Sequence, residues 1–253
     1  MPFTARHWEE LSDQGYTIVS GAIGEQRLRA AQDAANHLNA VHPEDGWERS
    51  KNELWREIRY CRRREFMEIA SAVLDPLALQ VLETAPPRDF VQFACTMPGF
   101  ATRGVGRNFH VDGGKDQLID VFNILFGVAL TAVSSDTAGG FHVLPGSHET
   151  LAAEFMRQPE VPSLHWGQIK LDYQRDELAG ARMVVPRVMP GDIIIAHSLL
   201  SHGTAVNTTA TRRDMLFQRR AAAPLWDPTT QSEMRLAFMR DPWKFFRRPP
   251  RPL

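Results

Sequence analysis

The sequence predicts a mainly β protein with flanking helices, its core an antiparallel sandwich or barrel. Three observations carry this. From Phe90 onward, short apolar runs recur between Gly, Pro, Asp and Asn, the texture of antiparallel strands joined by turns. Before Phe90, apolar residues recur mostly at helical spacing. The 253 residues are 43% hydrophobic and 23% charged, enough to bury a sizeable core without covalent staples.

The elements follow in order. Thr4 is placed to cap a helix through Trp8 and Leu11 that Gly15 ends. Tyr16–Val19 is apolar and β-branched and reads as a strand. Leu28, Ala31, Ala35 and Leu38 share a face of a helix over residues 25–40. Residues 43–64 are polar and charged, and read as a loop running into a helix. Phe66, Ile69, Val73 and Leu77 continue that helix, with Pro76 near its end. Strands are expected over residues 90–96, 121–133 (bent near Gly127), 141–144, 183–188, 192–196 and 215–219. Pro98-Gly99, Gly139-Gly140, Pro145-Gly146 and Pro190-Gly191 punctuate them as turns. Residues 150–180 read as a helical or looped insertion, and the Pro- and Arg-rich residues 242–253 as an irregular, solvated tail. The expected organisation is one domain, residues 1–253, with a helical N-terminal part (1–88), a β core (89–222) and a C-terminal tail (223–253).

Composition narrows the function classes. A net charge of -1 supplies no field to attract nucleic acid or an anionic membrane surface. Cys61 and Cys95 are the only cysteines, which excludes a disulfide framework or an all-cysteine metal site and fits a reducing compartment. No apolar run approaches the ~18 residues of a membrane span. The N-terminus carries no apolar leader. A cytoplasmic protein is expected.

One constellation carries chemistry. In a strand, residues two apart face the same side, so His110 and Asp112 can converge on one ion. Gly113-Gly114 follows and lets the backbone turn close to a site. His202 lies 92 residues on (202 − 110), at the polar end of the apolar run 192–200. Two histidines and a carboxylate on one face of a metal leave three positions open, as in non-haem Fe(II) oxygenases. Arg213 opens the next strand, eleven residues on (213 − 202). Its guanidinium can pair bidentately with a carboxylate, the partner that a dicarboxylic oxoacid needs at its far end.

At this point the sequence resembles the phytanoyl-CoA dioxygenase family of Fe(II)/2-oxoglutarate oxygenases, which includes ectoine hydroxylase. Four pieces carry the resemblance, in order: residues 11–19 (LSDQGYTIV), His110-Val-Asp112, residues 139–148 (GGFHVLPGSH), and the block with Gly191-Asp192, His202-Gly-Thr204, Asn207 and Arg213. It spans about residues 3 to 222. It implies a double-stranded β-helix (jelly roll, cupin-like) and His110, Asp112 and His202 as Fe(II) ligands. It also implies Arg213 on the distal carboxylate of 2-oxoglutarate, with help from the Thr204 hydroxyl. The implied reaction consumes O2 and 2-oxoglutarate, releases succinate and CO2, and hydroxylates a small molecule. Desaturation or cyclisation at the same centre stays open. Halogenation is disfavoured, because Asp112 fills the position that a halide would need.

Competing residues are weighed against these. His197 reads as a packed histidine, and His148 as structural in its turn. Arg212 competes with Arg213, but would face the other side of the strand. Arg103, Arg107 and Lys115 flank the ligand pair and either recognise an acidic substrate or are solvated. A non-catalytic jelly-roll binding protein is the first rival function, and a Zn(II) hydrolase at the same ligands the second. Arg213 speaks against the hydrolase, which needs no oxoacid clamp.

Overall fold

The computed structural model describes residues 2–40, 48–49, 54–101, 109–112, 122–157 and 182–247. Among them, nine strands form a seven-stranded and a two-stranded antiparallel sheet. The strands are β1 (Tyr16–Val19), β2 (Glu48–Arg49), β3 (Trp55–Cys61), β4 (Val91–Thr96), β5 (Ile124–Ala129), β6 (Phe141–Val143), β7 (Ile193–His197), β8 (His202–Thr204) and β9 (Arg213–Arg220). The large sheet runs β1-β7-β5-β9-β4-β3-β2, and the small one pairs β6 with β8. Isolated bridges extend the small sheet on both sides, His110 to His202 and Val143 to Val184. Two facing antiparallel sheets joined by long crossovers make the expected jelly roll.

Helices cover the outer face of the large sheet. The first, α1 (Ala5–Gln14), is capped by Thr4 through a reciprocal pair with His7. It ends at Gly15, whose φ of 79° is left-handed, a conformation cheap only for glycine. Next, α2 (Glu25–Ala40) buries Ala31, Ala34 and Ala35. One helical run then spans α3 (Arg64–Ile69), a π turn (Ala70–Leu74) and α4 (Asp75–Val81). Pro76 sits in the first turn of α4 rather than near the end of the run. Proline has no N–H to return to the preceding turn. The widened π turn, closed by Asp75 N–H to Ala70 O, takes up that lost bond. Phe66 on α3 packs its ring 5.4 Å from Phe93 on β4, tying helix to sheet.

Several expectations need correcting. Part of 43–64 is strand, because β3 pairs with β4 from Trp55↔Thr96 onward. Its inner face carries the buried, charged Glu57 opposite Ala94, and Arg59 and Tyr60 are exposed, so no apolar alternation marks it. The N-terminal part is therefore not purely helical. No bend falls at Gly127, which keeps register with both Ile194 and Phe217; the strand simply ends at Ala129. Residues 183–188 contribute two isolated bridges rather than a strand. The C-terminal stretch is anchored as far as it is described. After α6 (Gln231–Arg240), Phe245 and Phe246 are buried, and the Arg247 Nε donates to Leu82 O at 3.0 Å. Of the 150–180 insertion, residues 150–157 belong to α5 (Ser147–Arg157); residues 158–181 lie outside the described residues, as do 248–253. No helix among the described residues is long and apolar enough to cross a membrane.

Candidate metal centre

Strand register decides which side chains meet between the sheets. Directly paired residues and those two apart share a face. Arg213, Met215, Phe217 and Arg219 on β9 thus share a side with Gln92, Ala94 and Thr96 on β4. Phe217 on this side packs 6.0 Å from Phe141 of the small sheet. It is the inner face. Asp214, Leu216, Gln218 and Arg220 point outward, toward the helices.

On the small sheet, His110 and His202 exchange backbone hydrogen bonds, His110 N to His202 O at 2.7 Å and the reverse at 2.8 Å. Their rings lie 4.6 Å apart. Asp112 reaches the same point. Its Oδ1 is 3.3 Å from His110 Nε2 and its Oδ2 is 3.6 Å from His202 Nε2. One donor atom from each of the three lies within 4.8 Å of the others, a spacing that one ion can draw together. The His202 Nδ1–H donates to Leu200 O at 2.9 Å, which fixes the tautomer and leaves Nε2 with the lone pair a metal needs. Burial lowers the His202 pKa, outweighing the Asp112 charge that raises it. Burial would raise the Asp112 carboxyl, but the Arg219 guanidinium and the two histidines hold it well below the usual carboxylate range. A neutral His202 imidazole beside an ionised Asp112 carboxylate suits a divalent cation.

Arg213 lies on the inner face at the start of β9, 2% exposed. Its Nε donates to Gly139 O, while its buried Nη1 has no hydrogen-bond partner. Burial lowers its pKa to about 10. A fully buried cation with an unused donor is costly, and a carboxylate is the group that would satisfy it. Gly139 makes this contact possible. Its φ is 70°, and a Cβ there would stand 2.1 Å from Thr96 Oγ1. Arg212, by contrast, turns away to Asp214 at 2.7 Å and to Asn36 at 2.9 Å. Thr204 ends β8, opposite Phe141, so by register its side chain shares the inner face with that of His202. Asn207 ties down the loop between β8 and β9, donating to Thr96 O and Thr211 O and accepting from Thr209 N–H.

His197 and His148 of these motifs sit elsewhere. The buried His197 is fully satisfied, with Nε2 on Pro242 O at 2.9 Å and Nδ1 accepting from Leu199 N–H at 3.1 Å. His148 meets Ser12 O at 2.9 Å. Arg103, Arg107 and Lys115 lie outside the described residues.

Arg219, Gln92 and Glu57 were not foreseen. Arg219 meets Asp112 and Gln92, and Gln92 in turn donates to Glu57 Oε2 at 2.5 Å. His142, on the far side of the small sheet, stacks on Phe109 at 4.2 Å. Both its ring nitrogens are buried without partners, and burial lowers its pKa to about 3. Arg219 was within reach of the sequence, since it lies six residues (219 − 213) beyond Arg213 on an alternating strand. Gln92 was not, because its place depends on pairing between distant segments.

Comparison with known proteins gives the same picture. The family profile for phytanoyl-CoA dioxygenase matches residues 11–215. No curated protein sequence matches the chain. Among solved structures, the alpha-ketoglutarate-dependent carbocyclase SnoK of nogalamycin biosynthesis is similar at TM-score 0.63 and 15% identity, over 88% of this chain and 85% of that one. EctD from S. alaskensis, with bound Fe, is similar at TM-score 0.60 and 20% identity, over 87% and 77%. HygX from Streptomyces hygroscopicus, with nickel, 2-oxoglutarate and hygromycin B bound, is similar at TM-score 0.56 and 15% identity, over 87% and 88%. At these identities the likeness establishes the shared fold.

Proposed function

The chain belongs to the phytanoyl-CoA dioxygenase family, and on that premise we propose that its His110, Asp112 and His202 hold one Fe(II) in an enzyme that oxidises a small molecule with O2 and 2-oxoglutarate. Arg213 receives the distal carboxylate of 2-oxoglutarate, and the Thr204 hydroxyl assists. The observation that carries this reading is the pairing of a two-histidine, one-carboxylate cluster with a buried guanidinium that has a donor to spare. A Zn(II) hydrolase would need the first and leave the second unexplained.

When bound, the iron with its co-substrate supplies the oxidising power for attack on an unactivated C–H, with succinate and CO2 as co-products. The chain's own residues do the rest. His202 is locked in one tautomer by Leu200 O, Asp112 stays ionised beside Arg219, and Arg213 orients the oxoacid from the far end. Glu57, Gln92 and Arg219 make a polar floor near the centre, which suits a substrate with polar groups. The neighbours of nogalamycin biosynthesis and hygromycin B support a small biosynthetic substrate. Hydroxylation is the preferred outcome; SnoK, a carbocyclase, keeps ring formation at the same centre as the second reading. Residues 1–253 act as one domain in this account. The unpaired thiols of Cys61 and Cys95 support a reducing, cytoplasmic setting.

The test is metal content with succinate release over a substrate panel. Wild type should bind one iron per chain. His202→Ala should lose most iron and all turnover, while His197→Ala keeps its iron. The reverse pattern would reject the ligand set, and iron without succinate on any substrate would favour a binding protein.

A further inference from the structure

We propose that His142 is a positioning residue for His110: its ring stacks on Phe109 behind the small sheet and holds the segment that carries His110 against β8. The inference rests on the reading of His110, Asp112 and His202 as metal ligands.

Register sets the arrangement. β8 lies between β6 on one side and the His110 segment on the other. His142 pairs with Gly203. His110 pairs antiparallel with His202, which puts Phe109 beside Gly203 from the opposite side. Phe109, Gly203 and His142 thus form one row across the sheet. The row faces away from the metal centre, because the adjoining His110, His202, Phe141 and Val143 face inward. Neighbouring strands lie about 4.8 Å apart, so rings separated by a whole strand do not ordinarily touch. Here the middle residue has no side chain, and the two rings close over it. Their centroids are 4.2 Å apart and their planes 8° from parallel. Both residues are buried.

The position uses the imidazole ring and not its nitrogens. Neither His142 nitrogen has a hydrogen-bond partner among the described residues. Burial, with smaller contributions from His202 and His110, lowers the His142 pKa to about 3, so the ring stacks as an uncharged aromatic.

The two strands that flank β8 are held unequally. β6 pairs with it over three residues. The described part of the His110 segment meets it at one bridge, through two backbone hydrogen bonds, and so short a pairing frays readily. On the inner side Asp112 ties the segment to Arg219. On the outer side the hold is the stack on His142. It carries the firmness of β6 across Gly203 to the residue before His110. It thereby limits how far His110 Nε2 can drift from Asp112 Oδ1, 3.3 Å away, and from His202.

The experiment titrates Co(II) into the full chain and follows its d–d absorption. His142→Ala should weaken binding by about 2–10-fold, the worth of one aromatic pair, and alter the spectrum. Phe109→Leu should do the same. The double variant should be no worse than either single one, because both break one contact. His142→Phe keeps a ring and drops the nitrogens, so it should restore affinity and spectrum. Val81→Ala, a buried change on α4, should lower the unfolding midpoint and leave both readings alone. If His142→Ala fails to fold, Phe109→Leu and His142→Phe carry the test. Affinity and spectrum unchanged in His142→Ala, fully additive losses in the double variant, or a His142→Phe as weak as Phe109→Leu would each overturn the inference. Wild type that binds no metal would instead remove the proposed function, and this inference with it.

Discussion

Arg213 and Arg220 leave opposite faces of β9, and both guanidiniums are almost wholly out of solvent. Their surroundings differ. Arg220 points to the helices and is consumed there: it pairs with Asp75, and donates to Ala85 O at 3.0 Å, Pro86 O at 2.7 Å and Gln218 Oε1 at 3.2 Å. Only its Nε is left over. Arg213 points between the sheets and meets one carbonyl, with no ion pair among the described residues. The difference teaches how to read a buried charge. One with its counter-charge in place binds two layers of the fold together. One without it is paid for elsewhere in the fold and marks a site where a ligand can supply the missing charge.

The comparison breaks most visibly at Arg220. Arg220→Met should leave Asp75 and two carbonyls unpartnered and lose about 3–5 kcal/mol in urea unfolding. Arg213→Met, which deletes an uncompensated charge, should lose far less. Equal losses would mean that both arginines are structural.

The outer face makes a second prediction, in acid. Burial in the Trp243, Phe246 and Phe238 cluster lowers the His197 pKa to about 3, below the 6.5 of a free imidazole. Between those values the unfolded chain binds the proton and the folded chain does not. Stability should therefore fall as pH drops from about 6.5 toward 3, by on the order of 4 kcal/mol in total from this residue. His197→Phe should flatten that limb, whatever it does to the midpoint at pH 7. An unchanged slope would mean that His197 is already protonated in the fold.

Smaller effects sharpen the inner face. Asn207→Ala removes the ties from Asn207 to Thr96, Thr211 and Thr209. It should cost about 1–3 kcal/mol of stability and weaken 2-oxoglutarate binding only through Thr96, the neighbour of Arg213. Arg212→Ala removes the two-point partner of the buried Asp214 carboxylate. It should cost about 1–3 kcal/mol and leave co-substrate affinity alone. A large loss of affinity there would move the clamp from Arg213 to Arg212.

What the sequence disclosed follows from periodicity. The strand period of two put His110 and Asp112 on one side and Arg212 opposite Arg213, and the resemblance to the family supplied their roles. The caps at Thr4 and Gly15 and the helix over 25–40 were equally local. What it hid was non-local or disguised. Arg56, Glu57 and Arg59 made β3 look like a loop, although their strand pairs with β4 and Glu57 is buried in the polar floor. Proline and arginine made residues 242–247 look solvated, although Phe245 and Phe246 pack into the core. Arg219 lay in a recognised strand, but its meaning depends on Asp112, 107 residues away (219 − 112).

The most direct test of the account is calorimetric titration of 2-oxoglutarate into anaerobic, Fe(II)-loaded protein, for wild type, Arg213→Met and Arg220→Met, below each variant's unfolding midpoint. Losing a charge-assisted bidentate contact costs about 2–5 kcal/mol. Arg213→Met should therefore bind at least tenfold more weakly with its iron retained, while Arg220→Met, where it remains folded, binds like wild type. Equal affinity in wild type and Arg213→Met would contradict the account.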